Sequence, residues 1–102
     1  MTKTRNSKQY DLEERTLRFT KDVIKFINAV PRTLANNEIS KQVVRSSGSV
    51  GANYIEANES LSKKDFRMRI KICRKEAKET IYWLKLIEVN SEGADEKKRN
   101  TD

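Results

Sequence analysis

A chain of 102 residues with 35% hydrophobic and 36% charged side chains is a single small domain with a modest core. One proline and three glycines are too few to punctuate a β-fold, no apolar run of about 18 residues offers a membrane span, and a lone cysteine excludes an internal disulfide framework. The formal charge of +7 points to polyanionic partners, and the absence of histidine removes the commonest general base and metal ligand.

The opening MTKTRNSKQYDLEER carries no apolar run of the secretory kind, so a cytoplasmic setting is expected, with residues 1–9 a flexible N-terminus. From residue 10 a helical period takes over. Leu12, Thr16, Phe19, Val23, Phe26 and Val30 alternate spacings of four and three, the seam of an amphipathic helix that Pro31 stops. The second phase is Ile39, Val43, Ser46, Val50, Asn53 and Ala57. It runs through RSSGSVGANYIEAN, residues 45–58, whose serines and glycines otherwise suggest a loop. Because the seam survives the glycines, a continuous or mildly bent helix is expected there, and a kink near Gly48 is the alternative. Two interior glycines cost about 1 kcal/mol each relative to alanine. Gly48 and Gly51 are three apart and share a face, which predicts close approach of a neighbouring backbone as the compensation.

The third phase is Phe66, Ile70, Cys73, Ala77, Thr80, Leu84 and Ile87, preceded by Ser62-Lys63-Lys64-Asp65, a capping box with Asp in place of Glu. Ile72, Trp83 and Leu86 gather on a second face of this helix, where an exposed tryptophan is expected to anchor an interface. Three such seams predict an all-α fold, a left-handed helical bundle over residues 10–88. Residues 89–102 read as a polar, solvated C-terminal tail.

The strongest functional signal lies on the third helix. Residues 63–78 hold eight Lys or Arg against Asp65 and Glu76. At about 100° per residue, Lys64, Arg67, Lys71, Arg74, Lys78 and Lys85 fall in one stripe, about a quarter turn from the Phe66–Cys73–Leu84 seam. Like charges stacked along a helix repel, so stability alone would intersperse acids. No aromatic interleaves the stripe, and base stacking is therefore not expected. Elsewhere the bland readings prevail. Cys73 sits on the core phase with no base beside it. Asn53, on the second seam, is expected to be buried and to fix helix register. Glu56, Glu76 and Glu79 are expected to pair with Arg45 or lysines rather than to bind a cation. No catalytic residue, metal ligand or cofactor site is expected.

SSGSVGANYIEAN followed by SKKDFRMRIKICRKEAKETIYWLKLIE resembles the bacterial four-helix-bundle family of intervening-sequence proteins, named for reading frames inserted in large-subunit ribosomal RNA genes. A related branch is the accessory protein of diversity-generating retroelements. The residues that carry the resemblance are Arg45, Ser46 and Ser49, then Asn53 and Glu56, then Lys75 to Thr80, then Trp83 and Leu84. The resemblance implies an antiparallel up-down bundle, often a five-fold ring with a basic surface, with no known catalytic activity and a possible protein partner such as a reverse transcriptase. It also implies a fourth helix after the Trp-Leu helix. The tail here is too short and polar to supply one, so the fourth helix is expected to be short or missing, leaving a groove that another chain can cover.

Two functions follow. The first is a nucleic-acid-binding module, for RNA more than DNA and for structured RNA or an RNA–protein assembly, acting through the Lys64–Lys85 stripe. The second is an oligomeric adaptor whose open groove and Trp83 face dock a protein. Three thin amphipathic helices also predict a homo-oligomer, five subunits being favoured over two.

Overall fold

The computed structural model describes residues 7–89, and they are all-helical: α1 spans Ser7–Ala29, α2 Leu34–Asn58 and α3 Lys63–Leu86. α1 begins three residues before the expected domain start. Residues 1–6 and 90–102, with the rest of the expected flexible N-terminus, most of the polar tail and the place of a fourth helix, lie outside the described residues. Each later helix starts on a side-chain cap that occupies an otherwise unpaired N–H. The Thr33 hydroxyl accepts from Asn36 N–H at 3.0 Å, and the Ser62 hydroxyl accepts from Asp65 N–H at 3.1 Å. Asp65 lies in the first turn of α3 and Lys85 in its last, both favourable to the helix dipole.

α2 runs unbroken through Gly48 and Gly51, and no described residue has a positive φ. The expected helix is therefore present and the kink is not. α2 is the middle helix: α1 and α3 each pack closely against it, and their backbones do not approach one another closely. The contacts run in opposite directions along each pair. Thr16 meets Gly51 and Thr20 meets Ser47 on one side; Thr80 meets Ser46 and Cys73 meets Val50 on the other. Both pairs are antiparallel, the up-down order.

The close approach expected of the two glycines belongs to Gly51 alone. A Cβ at Gly51 would stand 3.2 Å from Thr16 Oγ1, whereas one at Gly48 would have nothing within 4 Å. α1 crosses α2 on the side of Gly51 and Ser47, where the Thr20 hydroxyl donates to the Ser47 carbonyl at 2.9 Å. Gly48 is turned about 60° from Gly51 (three residues at about 100° each), outside that contact.

Among the described residues the buried hydrophobics are Val23, Val43, Ala57 and Ile87. Phe19, Phe26 and Phe66, all on the predicted seams, remain 36%, 39% and 41% exposed. The cause is the open arrangement. With α1 and α3 apart, Phe19, Asp22, Val23, Phe26 and Leu84 line a surface recess of about 360 Å³ rather than closing over it. What occupies the middle instead is small and polar: Ser46, Ser47, Thr80 and Asn36 are all fully buried.

Candidate nucleic-acid interface

Charge on α3 is sorted by face. Lys64, Arg67, Lys71, Arg74, Lys78 and Lys85 are all exposed, and none forms an ion pair with a described residue. Lys71 lies nine residues before the buried Thr80, about two and a half turns, and so points away from α2. The stripe is thus opposite α2 rather than simply beside the core, because α3 meets α2 through Thr80 and Glu76 more than through the apolar seam. Lys71, Arg74, Lys75 and Lys78 line a shallow recess of about 380 Å³ that contains no acid.

Two of the three acids of α3, Glu76 and Glu79, turn the other way, and the third, Asp65, is exposed in the first turn. Glu76 is buried, and Arg45 on α2 reaches it at 3.4 Å and reaches the half-exposed Glu79 at the same distance. One guanidinium therefore holds two carboxylates on the α2 side, which leaves the outer face uniformly positive. Glu56, the third of the expected pairing acids, is exposed and has no ion-pair partner among the described residues.

An aromatic does interleave the stripe. Tyr82 follows Lys78 by four residues and precedes Lys85 by three, and it is 58% exposed. It fills the one turn of the stripe that lacks a cation. Its ring meets that of Trp83 edge-on, with centroids 5.2 Å apart and planes at 67°. Trp83 itself is half-buried rather than displayed on an exposed face, and its buried Nε1 has no partner among the described residues.

Asn53 is half-buried, not core. Its Nδ2 donates to the Ser49 carbonyl at 2.9 Å and to the Ser49 hydroxyl at 3.0 Å, and its Oδ1 accepts from Arg69 Nη1 at 3.0 Å. It still ties α2 to α3, through an arginine that faces inward from the stripe. The buried asparagine is Asn36, 1% exposed. Its Nδ2 donates to the carbonyls of Pro31 and Glu88, both at 2.9 Å, and its Oδ1 accepts from Glu88 N–H at 3.1 Å. This amide clasps the end of α3 to the start of α2. Its signal was present: Asn36 lies seven residues before Val43, on the same helical phase.

Cys73 is half-buried, and its thiol donates to the Val50 carbonyl at 3.3 Å. Burial pushes the thiol above its ordinary range against the smaller lowering effect of a hydrogen bond from Cys73's own backbone, so it is not an activated nucleophile. No group of three or more Cys, Asp or Glu among the described residues is placed to hold a metal ion. Nor is any described helix long and apolar enough to cross a membrane.

No curated protein and no solved structure matches the chain. The family model described as 23S rRNA-intervening sequence protein matches residues 8–100, nearly the whole length, and the chain belongs to that family.

Proposed function

We propose that this protein binds nucleic acid without catalysing a reaction, and that its ligand is structured RNA or an RNA–protein assembly rather than DNA. The observation that carries the reading is the sorting of charge on α3, with Arg45 drawing Glu76 and Glu79 inward and the six cations of the stripe left facing solvent. Each like-charged pair one turn apart costs a few tenths of a kcal/mol, about 0.2–0.5. A polyanion lying along the helix removes that cost and releases its own counterions. From Lys64 to Lys85 the stripe is about 32 Å long at about 1.5 Å per residue, enough to follow several phosphates. The family's name, which refers to an intervening sequence of 23S rRNA, favours RNA.

The protein acts as a homo-oligomer, so that several stripes engage one ligand and their weak contacts combine. A second reading, an adaptor that docks a protein such as a reverse transcriptase, draws on the uncovered recess lined by Phe19, Val23, Phe26 and Leu84. Gel-shift titration of a structured RNA against salt tests the first reading. Binding should weaken steeply with salt, and the triple reversal R67E/K71E/R74E should abolish it with thermal stability unchanged or raised. Affinity equal to the parent's would leave the stripe a merely solvated face.

A further inference from the structure

The exposed ring of Tyr82 has no task within the chain that its position explains. More than half of it is open to solvent, and its hydroxyl has no hydrogen bond to any described residue. It does not close the core, which α3 meets with Thr80, Glu76 and Ile87. Yet it is held in place. The half-buried Trp83 ring meets it in a T-shaped contact, which limits the ring's swing while more than half of Tyr82 stays open to solvent. On either side along the helix stand Lys78 and Lys85, each about one turn away and each exposed.

A flat aromatic face between two cations matches one repeat of a nucleic-acid strand: a base flanked by phosphates. Every base has a π-face, so stacking on such a ring tolerates any sequence. It does not tolerate pairing, because a base inside a duplex already has both faces covered by its neighbours. We propose that Tyr82 is a stacking site for an unpaired base of RNA, with Lys78 and Lys85 holding the phosphates on either side of it. This deepens, and rests on, the reading of the stripe as a nucleic-acid surface. It narrows the ligand class to RNA with an unpaired segment, such as a loop, a bulge or a single strand. In this arrangement Lys64 to Lys78 supply attraction that any polyanion feels, and Tyr82 supplies the discrimination between unpaired and paired strands.

The test uses the full chain and two probes, a 20-nucleotide single-stranded RNA carrying 2-aminopurine and a 20-base-pair RNA duplex. Affinity for both is measured for the parent and for Tyr82→Ala and Tyr82→Phe, with light-scattering mass and melting temperature recorded for each. Tyr82→Ala should lose about tenfold in affinity for the single strand and little for the duplex. It should also lose the 2-aminopurine quenching that stacking produces. Tyr82→Phe keeps the ring and should retain both affinity and quenching. Equal loss on the two probes, or no loss on either, would overturn the proposal, as would a changed mass or a collapsed melting temperature in Tyr82→Ala, which would make Tyr82 an interface or packing residue. Failure of the parent to bind either probe would sink the stripe reading itself and the stacking site with it. Parent binding with no difference between variants would sink only the stacking site.

Discussion

α2 holds its two neighbours by different means. Against α1 it presents mainly smallness, with one side-chain tie at the end of the pair: Gly51 lets Thr16 come close, the Ser47 carbonyl takes the Thr20 hydroxyl, and Asn58 Nδ2 donates to Glu13 at 2.8 Å. Against α3 it presents specific polar partners spread along most of its length. Asn36 grips the Glu88 backbone, Arg45 holds Glu76 and Glu79, Ser46 meets Thr80 at 2.7 Å, and Asn53 accepts from Arg69. Close packing tolerates sliding until a side chain blocks it. Hydrogen-bonded groups in a buried setting accept one register, since a lost partner leaves a desolvated polar atom. The α2–α3 pair is therefore the rigid platform that carries the stripe, and α1 is the more loosely specified cover.

On that contrast the largest loss comes from the clasp. Asn36→Ala removes three hydrogen bonds made by a buried amide, so it should cost about 2–4 kcal/mol, read as a lowered denaturation midpoint with an unchanged slope. Thr80→Val keeps the volume and removes the hydroxyl between Ser46 and the Glu76 carbonyl, to which Thr80 donates at 2.8 Å. It should cost about 1–3 kcal/mol, and a neutral outcome would mean that the hydroxyl chain contributes no register.

The α1 side is sharpened by the two glycines. Gly51→Leu must push Thr16 away and should destabilise by about 1–3 kcal/mol, with hydrogen-exchange protection lost first in α1. Gly48→Ala fills open space on the same helix and should stabilise by up to about 1 kcal/mol through helix propensity alone. Equal effects at the two positions would erase the distinction between them. The smallest expected signal is chemical. Because burial raises the Cys73 thiol, its thiolate fraction at pH 8 falls below that of an unburied cysteine. Alkylation there should be slower in the folded protein than after denaturation.

Helix existence, the Ser62 cap, the unbroken passage through residues 45–58 and the stripe's membership were all legible, because periodicity, capping and charge are local properties of a helix. The family motifs were legible for the same reason, as runs of residues at fixed spacing on α2 and α3. Burial was read less well. A seam predicts which residues share a face, and Phe19, Phe26 and Phe66 do lie on theirs, but whether that face is covered depends on a neighbour that the seam does not name.

What the sequence by itself determined is the set of three helices, their order and the gathering of cations on one side of the third. Only the tertiary structure decided which of two asparagines became the buried clasp, which of two glycines admits a neighbour, and which face of α3 turns from α2 so that Tyr82 stands in solvent with the lysines. Each of those choices turns on the direction from which α1 and α3 approach α2. That direction is set by contacts between residues 16 to 52 positions apart, as between Asn53 and Arg69, Thr20 and Ser47 or Asn36 and Glu88, and no period of a single helix spans them.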